Sequence, residues 1–338
     1  MATATMAARA AAVSSTATTR GAIVIDDVVK IYDPDGAAVM AVDHCSLDIA
    51  AGEICMIVGP SGCGKTTLLN AIAGFHEITS GQILLDGEVL CSAEKPKAEP
   101  SSDRIVVFQN GALFPWKTNL ENVAFGPLMQ GKLGKTDAFE KARAMMADAG
   151  LAGVEHNYPG EVSSGMRRRV EIVRALMNEP KVLLLDEPAS GLDPRARIEI
   201  RELLKELHKM GKTIVISSHI LPELAELCST VGIIERGELL YSGPWTDIVK
   251  QAKVGTILHV GVAAHERELA AALLAQNPNV ENVAANNGFL EVSLKSGVED
   301  YTFVPHSLIA AGYHLTLLKE EEVNLETAFM RLTKGMVQ

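Results

Sequence analysis

GPSGCGKT (59–66) sets three glycines, a lysine and a threonine within eight residues, and KVLLLDEP (181–188) ends an apolar run in two carboxylates. The first spacing, G-x-x-x-x-G-K-[ST], suits a phosphate. Gly59, Gly62 and Gly64 let the backbone turn with its N–H groups pointing inward, and a following helix adds the positive end of its dipole. Pro60, Ser61 and Cys63 complete the turn, with Cys63 read as a small space-filling residue whose modification would cost nucleotide binding. Lys65 supplies a point charge for β- and γ-phosphates, and Thr66, followed by Thr67, offers a hydroxyl that can ligate Mg2+. Asp186 closes the second run, so its carboxylate is expected at the C-terminal edge of a sheet, placed to hold Mg2+. Glu187 follows it and can polarise an attacking water.

These groups need a scaffold that brings residues 59–66 and 186–187 together. EICMIVG (53–59) reads as a buried strand feeding the turn, and KTTLLNAIAG as the helix after it. GQILLDGEVL has the look of a hairpin, CSAEKPKAEPSSD of a surface loop, and RIVVFQ of a strand. Residues from about 111 to 178 read mostly as helix, an insert in an α/β domain spanning 21–250. KVLLLD is apolar throughout, as a parallel strand covered on both faces must be. In the segment after it, Ile200, Leu203, Leu204 and Leu207 fall on one helix face, and TIVISS (213–218) is another buried strand. From about residue 254 the order becomes β-α-β-β-α-β, with two strands joined across Asn287 and Gly288; this predicts a small ferredoxin-like accessory domain over 255–338. The closing NLETAFMRLTK reads as a helix.

Bulk properties exclude several classes. A formal net charge of −11 over 338 residues is wrong for a nucleic-acid partner, which calls for a basic face. The best candidate for a membrane span, GTILHVGVAAHERELAAALLA, is broken by His265, Glu266, Arg267 and Glu268. Five scattered cysteines fit a reducing compartment better than a disulfide framework. Residues 1–20 contain no acid and are rich in Ala, Ser and Thr; with two arginines only, they are expected to form a disordered leader rather than an organelle transit segment.

Taken with both halves of the phosphate site, several further motifs make residues 22–245 resemble an ATP-binding cassette (ABC) ATPase. Gln109, in VVFQNGALFPW, matches the family's glutamine that reaches Mg2+ and couples the site to a membrane subunit. VSSGM, carrying Ser163, Ser164, Gly165 and Met166, matches the signature that caps the ATP held by the opposite subunit. Asp193 in SGLD resembles the residue at the dimer interface, His219 in SSHI the switch histidine at the γ-phosphate, and Tyr32 the aromatic stacked on adenine. The resemblance implies ATP and Mg2+ as ligands, a second ATPase subunit, and a transmembrane permease at whose cytoplasmic face the chain works as a peripheral subunit. Phe114, Pro115 and Trp116 lie where the family docks that permease. Arg167, Arg168 and Arg169 are expected to form a solvated helix face with one or two ion pairs.

The chain departs from the family in placing Ser164 where a glycine is usual. If the position takes helical dihedrals the change costs little; if it needs positive φ or packs on phosphate, closure weakens. ALFPWKTNLENVAFGP (112–127) resembles importers of nitrate, sulfonate or taurine, whereas SSHILPELAELCSTVGIIERGELLYSG and NLETAFMRLTKG resemble ABC-2 exporters. Two other readings remain: a ribosome- or DNA-associated ABC ATPase, disfavoured by a single cassette and the lack of sustained heptads, and a non-hydrolysing regulator, disfavoured by Glu187 and His219.

Overall fold

The computed structural model describes residues 20–34, 36–219, 227–247, 256–286, 288–295, 297–298 and 300–321. Residues 1–19 of the expected leader and the helix expected in NLETAFMRLTK lie outside them. The chain divides into two units, Met1–Trp245 and Thr246–Gln338.

In the first unit, the three strands read as continuously apolar are those buried along their whole length: β3 (Ile54–Val58), β7 (Val182–Asp186) and β8 (Thr213–Ser218). They form the parallel heart of a ten-stranded sheet, in the order β9 (Thr230–Glu235), β3, β8, β7, β6 (Arg104–Val107). On the far side of β9 the sheet continues through β10 (Glu238–Gly243) to β2 (Val39–Ile49), β1 (Ile23–Tyr32), β4 (Ser80–Leu85) and β5 (Glu88–Ser92). The pairs from β2 to β5 are antiparallel, and the hairpin expected over 81–90 is the β4–β5 pair.

Helix α1 (Lys65–Ala73) buries Leu68, Leu69 and Ile72 in the main core with Ile23, Ile25, Ile57 and Leu184. The insert expected to be helical contains α2 (Asn119–Met129), α3 (Lys135–Asp148) and α4 (Ser164–Leu176), and no strand among its described residues. Thr118 and Glu121 close a reciprocal capping box at the start of α2. These helices share their own core of Leu120, Val123, Met146, Val170 and Val173. Helix α5 (Pro194–Lys209) buries Ile200, Leu204 and Leu207 as the spacing required, while Leu203 is half-buried at the edge of that face.

The second unit runs β11 (Ile257–Val262), α6 (Arg267–Ala275), β12 (Val280–Asn286), β13 (Phe289–Leu294), α7 (Phe303–Ala310), β14 (Leu315–Glu320). Its antiparallel sheet has the order β12-β13-β11-β14, so the expected ferredoxin-like succession is the one observed. Alternate residues Leu258, Val260 and Val262 and Leu290, Val292 and Leu294 point into one core with Ala270, Leu274, Val304 and Leu308.

Candidate functional site

The turn between β3 and α1 is shaped by close approaches that only glycine permits. A Cβ on Gly59 would lie 2.0 Å from the carbonyl oxygen of Ile234, and one on Gly64 2.1 Å from that of Ala41. Gly64 also sits at φ 109° and opens α1 with no side-chain cap, so the first N–H groups of the helix are left for a ligand. Lys65 is buried at 6% exposure, and its Nζ donates to the carbonyls of Gly59 (2.8 Å) and Pro60 (2.9 Å), which lays the ammonium across the turn. Cys63 is buried behind it with Sγ 3.8 Å from Nζ; burial raises its thiol pKa despite the lysine, consistent with a space-filling role. Pro60, Ser61, Gly62 and Thr66 are exposed on the rim.

The acidic half comes from the C-terminal ends of β7 and β8, as the apolar runs predicted. Thr66 Oγ1 donates to Asp186 at 3.0 and 3.1 Å from its two oxygens, which joins the turn to the strand end. Ser217 Oγ donates to Asp186 Oδ1 at 2.6 Å and accepts from the Glu187 N–H at 3.0 Å. One hydroxyl therefore fixes both acidic positions. Glu187 stands at φ 49°, unusual for a residue with a side chain, and its carboxylate accepts from His219 Nδ1 at 2.7 Å. Glu187 is buried and His219 is half-exposed, which leaves Nε2 of the imidazole for another partner. Ser217 escaped the sequence reading, because nothing in TIVISS distinguishes a serine that only packs from one that bridges two acids.

Tyr32 ends β1 beside the turn, where its hydroxyl lies 3.5 Å from Thr67 Oγ1 and 2.7 Å from His76 Nδ1, with its ring 36% exposed. Burial and the nearby Lys30 and Lys97 lower the His76 pKa, which favours the neutral ring that can accept from the tyrosine.

Gln109, Ser163, Ser164, Gly165, Met166 and Asp193 are assembled elsewhere. Among the described residues none of these six hydrogen-bonds to 59–67 within the single chain. Gln109, Ser164, Ser190 and Gly191 line a separate cavity of about 360 Å³. Ser163 caps α4 by accepting from the Met166 N–H at 3.2 Å, and Asp193 caps α5 by accepting from the Ala196 N–H at 2.9 Å. Ser164 is the first residue of α4 and is not among the positive-φ residues, so the helical case applies and the departure from glycine carries no backbone strain. The tightly packed residue is its neighbour: a Cβ on Gly165 would lie 2.6 Å from Ala196 Cβ.

The arginine run forms the two ion pairs expected, Arg168 with Glu171 and Arg169 with Glu199, but only Arg167 lies on a solvated face. Arg167 is exposed, but Arg168 is buried and donates to the carbonyls of Phe108 and Gln109, and Arg169 pairs with Glu199 at 3.0 Å. The acceptors lie 59 and more residues away in sequence for Arg168, so spacing could not reveal them. Trp116 is 71% exposed, whereas Phe114 packs on Phe125 with ring centroids 4.7 Å apart.

The arrangement offers a backbone cradle for phosphates, a hydroxyl and a carboxylate for a hard cation, and a buried carboxylate oriented by a histidine. The family model described as ABC transporter matches residues 42–190, which carry both the cradle and the Asp186–Glu187 pair. A second model, an AAA domain described as a putative AbiEii toxin of a type IV toxin–antitoxin system, matches 157–226, without the cradle. The chain is 41% identical over 200 residues to the glutamine transport ATP-binding protein GlnQ of Escherichia coli, covering 59% of this chain and 83% of that one. It is 42% identical over 191 residues to the taurine import ATP-binding protein TauB of Roseobacter denitrificans, covering 56% and 68%. Among solved structures, the ATP-binding cassette MJ0796, dimeric in a post-hydrolysis state with ADP and Pi, superposes with a TM-score of 0.59 at 28% identity, over 66% of this chain and 98% of that one.

Proposed function

The chain belongs to the family of ABC transporter ATP-binding subunits, and from that premise we propose how its residues divide the work of ATP hydrolysis. It is an ATPase subunit that dimerises and powers a membrane permease. No helix among its described residues is long and apolar enough to cross a membrane.

The reading rests above all on one observation: the phosphate cradle and the buried Glu187–His219 pair are joined through Thr66, Asp186 and Ser217 at one edge of the parallel sheet. Gly59–Thr67 bind the phosphates through backbone N–H groups, with Lys65 shifting from its two carbonyls to the β- and γ-phosphates. Tyr32 stacks on the adenine. Thr66 and Asp186 are hard oxygen donors of the kind Mg2+ takes and would hold it, with Gln109 brought to it from the separate cavity it lines. When bound, Mg2+ neutralises charge on the phosphates. Glu187 takes a proton from the attacking water, and His219, which orients that carboxylate, contacts the γ-phosphate.

Ser163–Met166 and Asp193 lie apart from the cradle of their own chain, which supports the reading that they serve the nucleotide of a partner. Each signature tip, a capped helix N-terminus, then closes over the cradle of the other subunit. The transported substrate is selected by the permease, and the chain acts at its cytoplasmic face. A direct test is ATP binding by Lys65→Ala, expected to fall at least about tenfold with loss of the charge-assisted phosphate contacts. Unchanged affinity would remove the cradle from the account.

A further inference from the structure

Helix α4 carries more than the serine tip at its start. Arg168, Glu171 and Arg174 recur at every third position, so they share one face of the helix, and that face meets the loop after β6. The Arg168 guanidinium donates to the carbonyls of Phe108 at 2.7 Å and Gln109 at 2.9 Å and to the Glu171 carboxylate at 2.9 Å. Arg174 on the same helix donates to the Ala112 carbonyl. Gly111 lies directly against this pair, since a Cβ there would stand 2.7 Å from Glu171 Oε1. Three backbone carbonyls of residues 108–112 are thus gripped by one helix face. Arg168 and Glu171 have side-chain exposures of 6% and 11%, so breaking the pair would leave two poorly hydrated charges. A planar guanidinium can serve two carbonyls and a carboxylate at once, whereas a lysine ammonium on its flexible stem cannot hold that fork.

We infer that Arg168 is a positioning residue for hydrolysis, locking Gln109 and the Ser163–Met166 tip into one rigid body. The inference rests on the roles proposed for Gln109 and the tip. Its consequence is specific. Gln109 serves the nucleotide in its own chain, and the tip serves the nucleotide in the partner, so the clamp ties the geometry of one site to that of the other.

The test is Arg168→Lys in the full-length chain, with Gln109→Ala as control. Amide exchange over residues 108–112 is expected to rise at least tenfold while exchange in α4 stays unchanged. Well below the melting temperature, kcat is expected to fall at least tenfold with the ATP dissociation constant held within twofold. A change that only lowered global stability would raise exchange in α4 as well and would leave kcat per folded molecule unchanged. Exchange at the parent level, or kcat within twofold of the parent, overturns the inference. If Gln109→Ala hydrolyses ATP at the parent rate, the role of Gln109 fails separately, and the exchange measurement still judges the clamp. Should Arg168→Lys not fold, Glu171→Gln keeps the shape and weakens the same pair, and the same two readouts apply.

Discussion

His219 Nδ1 lies 2.7 Å from Glu187 Oε2, and the two side chains differ in exposure, 42% for the histidine against 9% for the glutamate. The buried carboxylate is held in one orientation by the group that solvent, or a ligand, can reach. That asymmetry suits a base whose pose depends on what its partner touches. Glu187→Gln keeps the shape and the hydrogen-bonding reach but cannot take a proton. It should bind ATP within about threefold of the parent while kcat falls at least about 100-fold, in the range general-base catalysis supplies. Phosphate release and nucleotide binding measured on the same preparation check this.

Ser217→Ala removes the hydroxyl that joins Asp186 to the Glu187 N–H. Both partners are buried, so stability should drop by about 1–3 kcal/mol. Because the Glu187 N–H keeps only its longer bond to the Ser217 carbonyl (3.2 Å), kcat should fall about tenfold through misplacement. Denaturant melts and steady-state rates separate the two effects.

The two residues at the start of α4 should respond to substitution to different extents. Ser164→Gly alters a helical position at no packing cost and should change stability by less than about 1 kcal/mol. Gly165→Ala drives a methyl to 2.6 Å from Ala196 Cβ and should cost about 1–3 kcal/mol. Equal effects in unfolding experiments would contradict the packing described here.

All five cysteines are buried thiols, and burial raises every thiol pKa, to about 12 at Cys45 and Cys228. Raised values disfavour the reactive thiolate below about pH 9. At pH 7.5 iodoacetamide should label the folded chain far more slowly than the unfolded chain, which should take five labels. Intact-mass spectra over time, repeated at rising pH, read this out.

What could be seen in the sequence follows the range over which each signal acts. The cradle, Asp186 and Glu187 were legible because each sits in a short contiguous run whose pattern carries its own chemistry. The helical insert and the β-α-β-β-α-β succession were legible because periodicity is local. The strand order was not, since it depends on pairings such as Ile54 with Ile214, 160 positions apart. Ser217 and the reach of Arg168 to Phe108 and Gln109 were missed for the same reason: those partners are distant in sequence, so a common serine and a basic run gave no sign of their roles. Ser164 posed a question that only backbone angles could settle.

The account depends on a nucleotide held between the cradle of one subunit and the serine tip of another. Cysteines placed at Ser61 and Ser164 in the Glu187→Gln chain, both at accessible or half-buried positions, test this by bifunctional crosslinking, with the buried native thiols shielded. The account predicts a dimer crosslinked between residue 61 of one subunit and residue 164 of the other, formed with ATP and lost without it. A chain that hydrolyses ATP in its parent form yet never gives that ATP-dependent 61–164 link would contradict it.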